Sequence, residues 1–154
     1  MDSKFRNAGQ TCVCTNRFLV QDGIYEAFST KLVEAVAALK IGAGTEPGVD
    51  QGPLIDAAAV EKVKAHISDA VGKGAVILHG GDPHALGGTY FQPTVLGDVT
   101  VVSDVATQET FGPLAPLFRF STEDDAIGLA NDTAFGLAAY VYTKDLARAW
   151  RMSH

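Results

Sequence analysis

The chain has 154 residues, 47% of them hydrophobic and 19% charged, with a formal net charge of -6. Those values fit one globular domain with a real core, not a disordered segment. They exclude a sequence-independent grip on nucleic acid, which needs clustered Lys and Arg.

No apolar run approaches the ~20 residues that span a bilayer, so no membrane role is expected. The opening MDSKFRNAGQ lacks the apolar stretch of a signal peptide. A reducing cytosol is the natural setting for two cysteines one residue apart.

Asn16 to Gln21, NRFLVQ, is expected as a short strand, and Asp22-Gly23 as the turn after it. Ile24, Phe28, Leu32, Ala35, Val36 and Leu39 then recur at helical spacing. Glu26, Thr30 and Glu34 fall on another face, so an amphipathic helix runs toward Gly42 and Gly44. Residues 45–53 read as a loop. Asp56 is placed to cap a second helix carrying Val60, Val63, Ile67, Ala70 and Val71, which Gly72 and Gly74 end. AVILH, 75–79, is a compact apolar strand, and Gly80 to Gly88 a glycine-rich loop. Pro93 lies inside FQPTVLGDV, 91–99, so this segment is expected as an edge or irregular strand.

LAPLFRF, 114–120, reads as a strand. Ser121 with Asp124, or Thr122 with Asp125, can form a capping box for the helix that follows. Ile127 and Ala130 face its core side, and Asn131-Asp132 ends it. GLAAYVY, 136–142, is apolar throughout, as a buried parallel strand would be. Thr143 opens a last helix with Leu146, Ala149 and Trp150. Strands alternate with helices, so the fold class is α/β, a mainly parallel open sheet with flanking helices. The end at Met152-Ser153-His154 carries no C-cap signal and reads as cut, not finished.

Cys12 and Cys14 carry the chemistry worth weighing. Free cysteine is often a small buried hydrophobe. Zinc needs four ligands, and His66, His79, His84 and His154 show no paired spacing, so no metal is expected. A disulfide within Cys-x-Cys would be strained and easily reduced. A nucleophilic thiolate needs positive potential or backbone N–H groups nearby, which Arg6 and the backbone opened by Gly9 can supply. Residue chemistry alone leaves nucleophile and packed core thiol both open. Gly80-Gly81 and Gly87-Gly88 lack the spacing of a phosphate loop and read as turns. Glu109, just ahead of Phe111-Gly112-Pro113, is either a solvated loop acid or part of a flat-ligand site.

FRNAGQTCVCTN, 5–16, resembles the active-site cysteine signature of the aldehyde dehydrogenase superfamily, with Phe5, Gly9, Gln10 and Cys12 in register. QETFGPLAP, 108–116, resembles the superfamily's Glu-x-Phe-Gly-Pro motif, and ANDTAFGLAAYVYTKDL, 130–146, the stretch that follows it. FQPTVL and the loop around Gly52-Pro53-Leu54-Ile55 also fit, so the resemblance covers essentially the whole chain. SKFRNAGQTCVC is similar to the succinate-semialdehyde dehydrogenases, and glutarate-semialdehyde enzymes share much of it.

The resemblance implies roles for matching residues. Cys12 would attack the aldehyde as nucleophile, passing through a thiohemiacetal and a thioester. Its backbone N–H would be one oxyanion donor. Glu109 would hold the nicotinamide ribose of NAD or NADP, and Phe111 would pack beside the nicotinamide. Arg6 would pair with the distal carboxylate of a small carboxylated aldehyde, succinate semialdehyde above all, in 4-aminobutyrate degradation. Arg17 would brace the site, and Cys14 would be a redox partner of Cys12.

The resemblance also implies that residues 1–154 are a partial catalytic domain. Family members are longer, with a cofactor-binding domain before the cysteine motif and an oligomerisation segment at the C-terminus. A homo-oligomer is therefore expected of the complete enzyme. The isolated chain is expected to be inactive and to hold no cofactor tightly. Two other readings stand beside this one: a non-catalytic remnant acting as an interaction module, and a thiol redox module built on Cys12 and Cys14.

Overall fold

Four short segments of apolar and β-branched residues pair into one sheet in the computed structural model, which describes residues 1–152. They are β1 (Phe18–Gln21), β2 (Val76–His79), β3 (Thr94–Gly97) and β4 (Leu114–Phe120), in the spatial order β1-β4-β3-β2. β4 runs parallel to both β1 and β3, and β2 is antiparallel to β3. The sheet is open, mostly parallel and flanked by helices, as the alternation of elements predicts.

The helices are α1 (Tyr25–Ala37), α2 (Ala57–Gly72), α3 (Asp104–Thr107), α4 (Glu123–Asn131) and α5 (Leu146–Met152). Asp56 caps α2, its carboxylate accepting from the Ala59 N–H at 2.8 Å. Of the two capping boxes the sequence allows, the Thr122–Asp125 pair forms at α4.

Strand alternation sorts the core into two clusters, one on each face of the sheet. Leu96, Leu114 and Phe118 pack with Val60, Val63 and Ile67 of α2, while Val95, Ala115 and Leu117 pack with Leu32 and Val36 of α1. Each fully buried Leu or Phe contributes about 1.5–3 kcal/mol.

Three expectations are corrected. Residues 91–99 do not form an edge strand, although the second alternative, an irregular one, holds: only Thr94–Gly97 enters the ladder, and its register against β2 shifts. Pro93 stands just before β3, and the strand itself lies between β4 and β2, every residue buried. The missing N–H of Pro93 therefore costs no ladder bond. Residues 136–142 form no strand at all. Their carbonyls and amides enter no ladder, and Leu137, Tyr140, Val141 and Tyr142 are exposed. Apolarity alone does not make a strand without a neighbouring edge, and Arg17, holding the carbonyls at the end of α4, directs this segment toward the cysteine loop. The last helix begins at Leu146, not Thr143. Asp145 caps it, accepting from the N–H groups of Ala147 and Arg148. Arg148 and Arg151 tie it to Glu123 of α4, and none of its residues is buried. The sequence-based end at Ser153 and His154 lies outside the described residues.

Candidate active site

The cysteine loop rests on an uncommon backbone. Asn7, Ala8 and Gly9 stand in succession in the left-handed region, at φ 51°, 55° and 75°. A residue with a Cβ pays roughly 1–2 kcal/mol there. The Asn7 side chain offsets part of this by donating to the Gln10 carbonyl at 3.1 Å. Ala8, 1% exposed, is held by burial in the core cluster with α2.

The reversal delivers Thr11 to Cys14 as a turn, closed by the Cys14 N–H on the Thr11 carbonyl at 2.9 Å. Gln10 clamps that turn to the loop ahead of α2. Its side chain accepts from the Ile55 N–H at 2.8 Å and donates to the Pro53 carbonyl at 3.4 Å. Thr15 ties back to the N-terminal turn, its N–H reaching the Ser3 carbonyl at 2.7 Å.

The two thiols are separated by exposure. Both are free, Cys12 exposed and Cys14 buried. Cys14 Sγ lies 2.8 Å from Thr11 Oγ1 and 3.8 Å from the Arg6 carbonyl. Among the described residues no acceptor takes the Cys12 N–H. The turn thus presents one thiol and one unengaged backbone donor side by side.

The loop from Glu109 to Pro113, between α3 and β4, lies against this turn. Thr110 anchors it. Its N–H donates to Asn16 Oδ1 at 3.4 Å, and its hydroxyl is 3.0 Å from His66 Nδ1 on α2. Burial pushes the His66 pKa below its ordinary 6.5, so the ring is neutral at pH 7. Phe111 is left-handed, at φ 55°, and the residue is 39% exposed. A bulky residue takes that conformation only when its surroundings enforce it.

The two loops meet backbone to backbone. A Cβ on Gly9 would collide with the Gly112 carbonyl oxygen, and one on Gly112 would stand 2.5 Å from Val63 Cγ2. Glycine at both positions is what brings half-buried Glu109 and the Phe111 ring to the cysteine loop.

Arg6 is exposed, and among the described residues its guanidinium takes no partner. Arg17 serves α4 instead. It donates to the carbonyls of Leu129 at 2.5 Å, Ala130 at 3.0 Å and Asp132 at 3.4 Å, groups that a helix end leaves unsatisfied. Sequence reasoning missed His66, Asn16 and Thr110 as anchors. It also missed Lys4, which is 1% exposed with no partner for its ammonium. Nothing in their spacing marks these residues, because each acts across the fold.

The sequence profile of the aldehyde dehydrogenase family matches residues 1–154. The chain is 61% identical over 153 residues to a 3-sulfolactaldehyde dehydrogenase of Pseudomonas putida, covering 99% of this chain and 32% of that protein. It is 59% identical over 150 residues to the NADP(+) succinate-semialdehyde dehydrogenase of Escherichia coli, covering 97% of this chain and 31% of that protein. A crystal structure of succinate-semialdehyde dehydrogenase from Burkholderia pseudomallei superposes with a TM-score of 0.97 at 59% identity, covering 98% of this chain and 31% of that one. The chain therefore spans about a third of the length of the relatives it matches. With its whole length inside the family profile, the chain belongs to the aldehyde dehydrogenase family.

Proposed function

We propose that this chain is the cysteine-bearing part of a catalytic domain that oxidises a small anionic aldehyde with NAD or NADP, succinate semialdehyde first among candidates. The observation that carries this reading is the exposed Cys12 with its unengaged N–H, on a loop joined through Gly9 and Asn16 to the loop that bears Glu109 and Phe111.

Cys12 Sγ attacks the aldehyde carbon, and the carbonyl electrons move onto oxygen. The Cys12 N–H donates to that oxygen as charge develops. A half-buried carboxylate two residues from an exposed ring suits a nicotinamide riboside, with Glu109 holding the ribose hydroxyls and Phe111 packing beside the ring. The cofactor, when bound, supplies the two-electron acceptor that leaves an acyl thioester on Cys12, which water then cleaves. Cys14, buried beneath the turn, is the redox partner.

Arg6 offers an unpaired planar fork for the substrate's distal anion. Relatives named for succinate semialdehyde, glutarate semialdehyde and 3-sulfolactaldehyde all act on aldehydes with a distal acid group. The broad class is therefore an anionic aldehyde, and glutarate semialdehyde is the second candidate. The isolated chain is inactive in this reading, because the cofactor domain, second oxyanion donor and general base belong to the rest of a complete, oligomeric enzyme.

The test grafts residues 1–154 in place of the matching third of the Escherichia coli relative. The chimera is assayed with succinate semialdehyde, glutarate semialdehyde and a neutral aldehyde. Arg6→Ala should lower kcat/KM about ten-fold to a hundred-fold for the anionic aldehydes, the worth of a lost charge-assisted bond. Kinetics on the neutral aldehyde should stay within a few-fold. An equal loss for all three would make Arg6 structural, and a chimera that folds without oxidising any of them would remove the reading.

A further inference from the structure

α2 meets the loop of Glu109 and Phe111 at two points about one helical turn apart. Val63 and His66 are three residues apart, so they share a face of that helix. His66, buried, places Nδ1 3.0 Å from the hydroxyl of Thr110, which is buried as well. Val63 fills the space beside Gly112, where an added Cβ would stand 2.5 Å from its Cγ2. The first contact holds the residue before Phe111, and the second closes the space around the residue after it. Asn16 Oδ1 takes the Thr110 N–H at 3.4 Å, so Thr110 is fixed from a second side. Between these buried neighbours Phe111 stays left-handed, at φ 55°, and exposed. A bulky residue keeps that conformation only where its surroundings enforce it. Packing at Gly112 is steric, whereas the bond at Thr110 is directional. An apolar residue at position 66 would fill the core and leave the buried Thr110 hydroxyl without this partner.

We infer that His66 is the positioning residue of this loop: its imidazole fixes the Thr110 hydroxyl, which keeps Phe111 turned outward and Glu109 in register with the cysteine loop. It acts through Thr110 and touches neither substrate nor cofactor. Its effect on cofactor binding rests on the roles proposed for Glu109 and Phe111. The tie between His66 and Thr110 does not.

The chain alone tests the tie. Hydrogen exchange at the backbone amide of residue 110 is followed by NMR, corrected for side-chain effects on intrinsic rates, with the amides of β4 as the control for overall stability. His66→Phe and Thr110→Val each remove the bond. Each should speed exchange at position 110 by about two-fold to ten-fold beyond any change in β4, the worth of one hydrogen bond. The double variant should be no faster than either single one, because both remove the same bond. His66→Asn, which sets an amide group near the place of Nδ1, should restore most of the protection. Circular dichroism confirms folding, and Thr110→Val carries the test by itself if His66→Phe does not fold. Exchange at position 110 that only follows β4, or effects that add in the double variant, would overturn the tie. In the chimera, His66→Phe should raise the cofactor KM several-fold with kcat changed less, and His66→Asn should bring it back. Lost protection at position 110 with an unchanged cofactor KM would leave the tie standing and remove the roles given to Glu109 and Phe111.

Discussion

Cys12 and Cys14 differ in one property that matters at the scale of single residues: access. The first is exposed, and the second is buried and held by Thr11. Limited alkylation of the native chain near neutral pH, followed by peptide mapping, should therefore modify Cys12 first. First labelling at Cys14 would mean that the turn does not stand as described.

Lys4 gives a second residue-scale prediction, with a definite sign. Its folded pKa, about 8, lies below its unfolded value of 10.5. Between those values the unfolded chain binds the extra proton, so stability rises with pH across that window. At 1.36 kcal/mol per unit the full effect is roughly 3 kcal/mol. Lys4→Met should be more stable than the parent at pH 7, and the gap should shrink as the pH approaches about 10. Urea midpoints for both proteins across this range check it, and a constant gap would contradict the assigned burial. The sequence does not disclose this lysine. SKFR reads as a polar start, and only the fold shows that Lys4 points inward.

At the scale of elements, much of the chain was legible because local signals agreed with tertiary ones. Asp56 and Thr122 are capping residues by type and cap in fact. LAPLFRF forms a strand over the expected span, although Pro116 lies within it. Pairing with β3 ends at Pro116 and pairing with β1 begins at Leu117, so the proline falls where the ladder changes partner. The misread segments depend on neighbours that composition does not reveal. Residues 136–142 have a strand's composition but no adjacent strand among the described residues. Residues 91–99 contain a proline, but the ladder begins one residue after it.

The cysteine loop divides in the same way. Its motif was readable, while the left-handed run from Asn7 to Gly9 and the contact with Gly112 were not, since Ala8 is held by packing against α2 and Gly9 by a loop far along the chain. Gly9→Ala tests that contact. The added methyl meets the Gly112 carbonyl in a conformation that already disfavours a side chain. The expected cost is about 2–4 kcal/mol in stability, as for overpacking combined with backbone strain. Faster alkylation of Cys14 should accompany it as the loops part. A variant with unchanged thermal midpoint and labelling order would show that the two loops are not in register.

At the scale of the whole molecule, the sheet keeps two open edges. Among the described residues β1 pairs with β4 alone and β2 with β3 alone, and Val76, Ile77 and Leu78 are exposed. Open, apolar edges are normally covered. The relatives are about three times as long as this chain, so a relative has further chain with which to cover such edges. The proposed activity belongs at this scale too, because the proposal assigns to this chain only the thiol of Cys12 and the loop of Glu109 and Phe111. The most direct measurement is made on the chimera. Mix it with succinate semialdehyde and oxidised cofactor, quench with acid within one turnover, digest, and locate the acyl group by mass spectrometry. The account predicts a succinyl thioester on the peptide holding Cys12, on that sulfur, and its loss together with cofactor reduction in Cys12→Ser. Cofactor reduction that persists in Cys12→Ser, or an acyl group found on Cys14 instead, would contradict it.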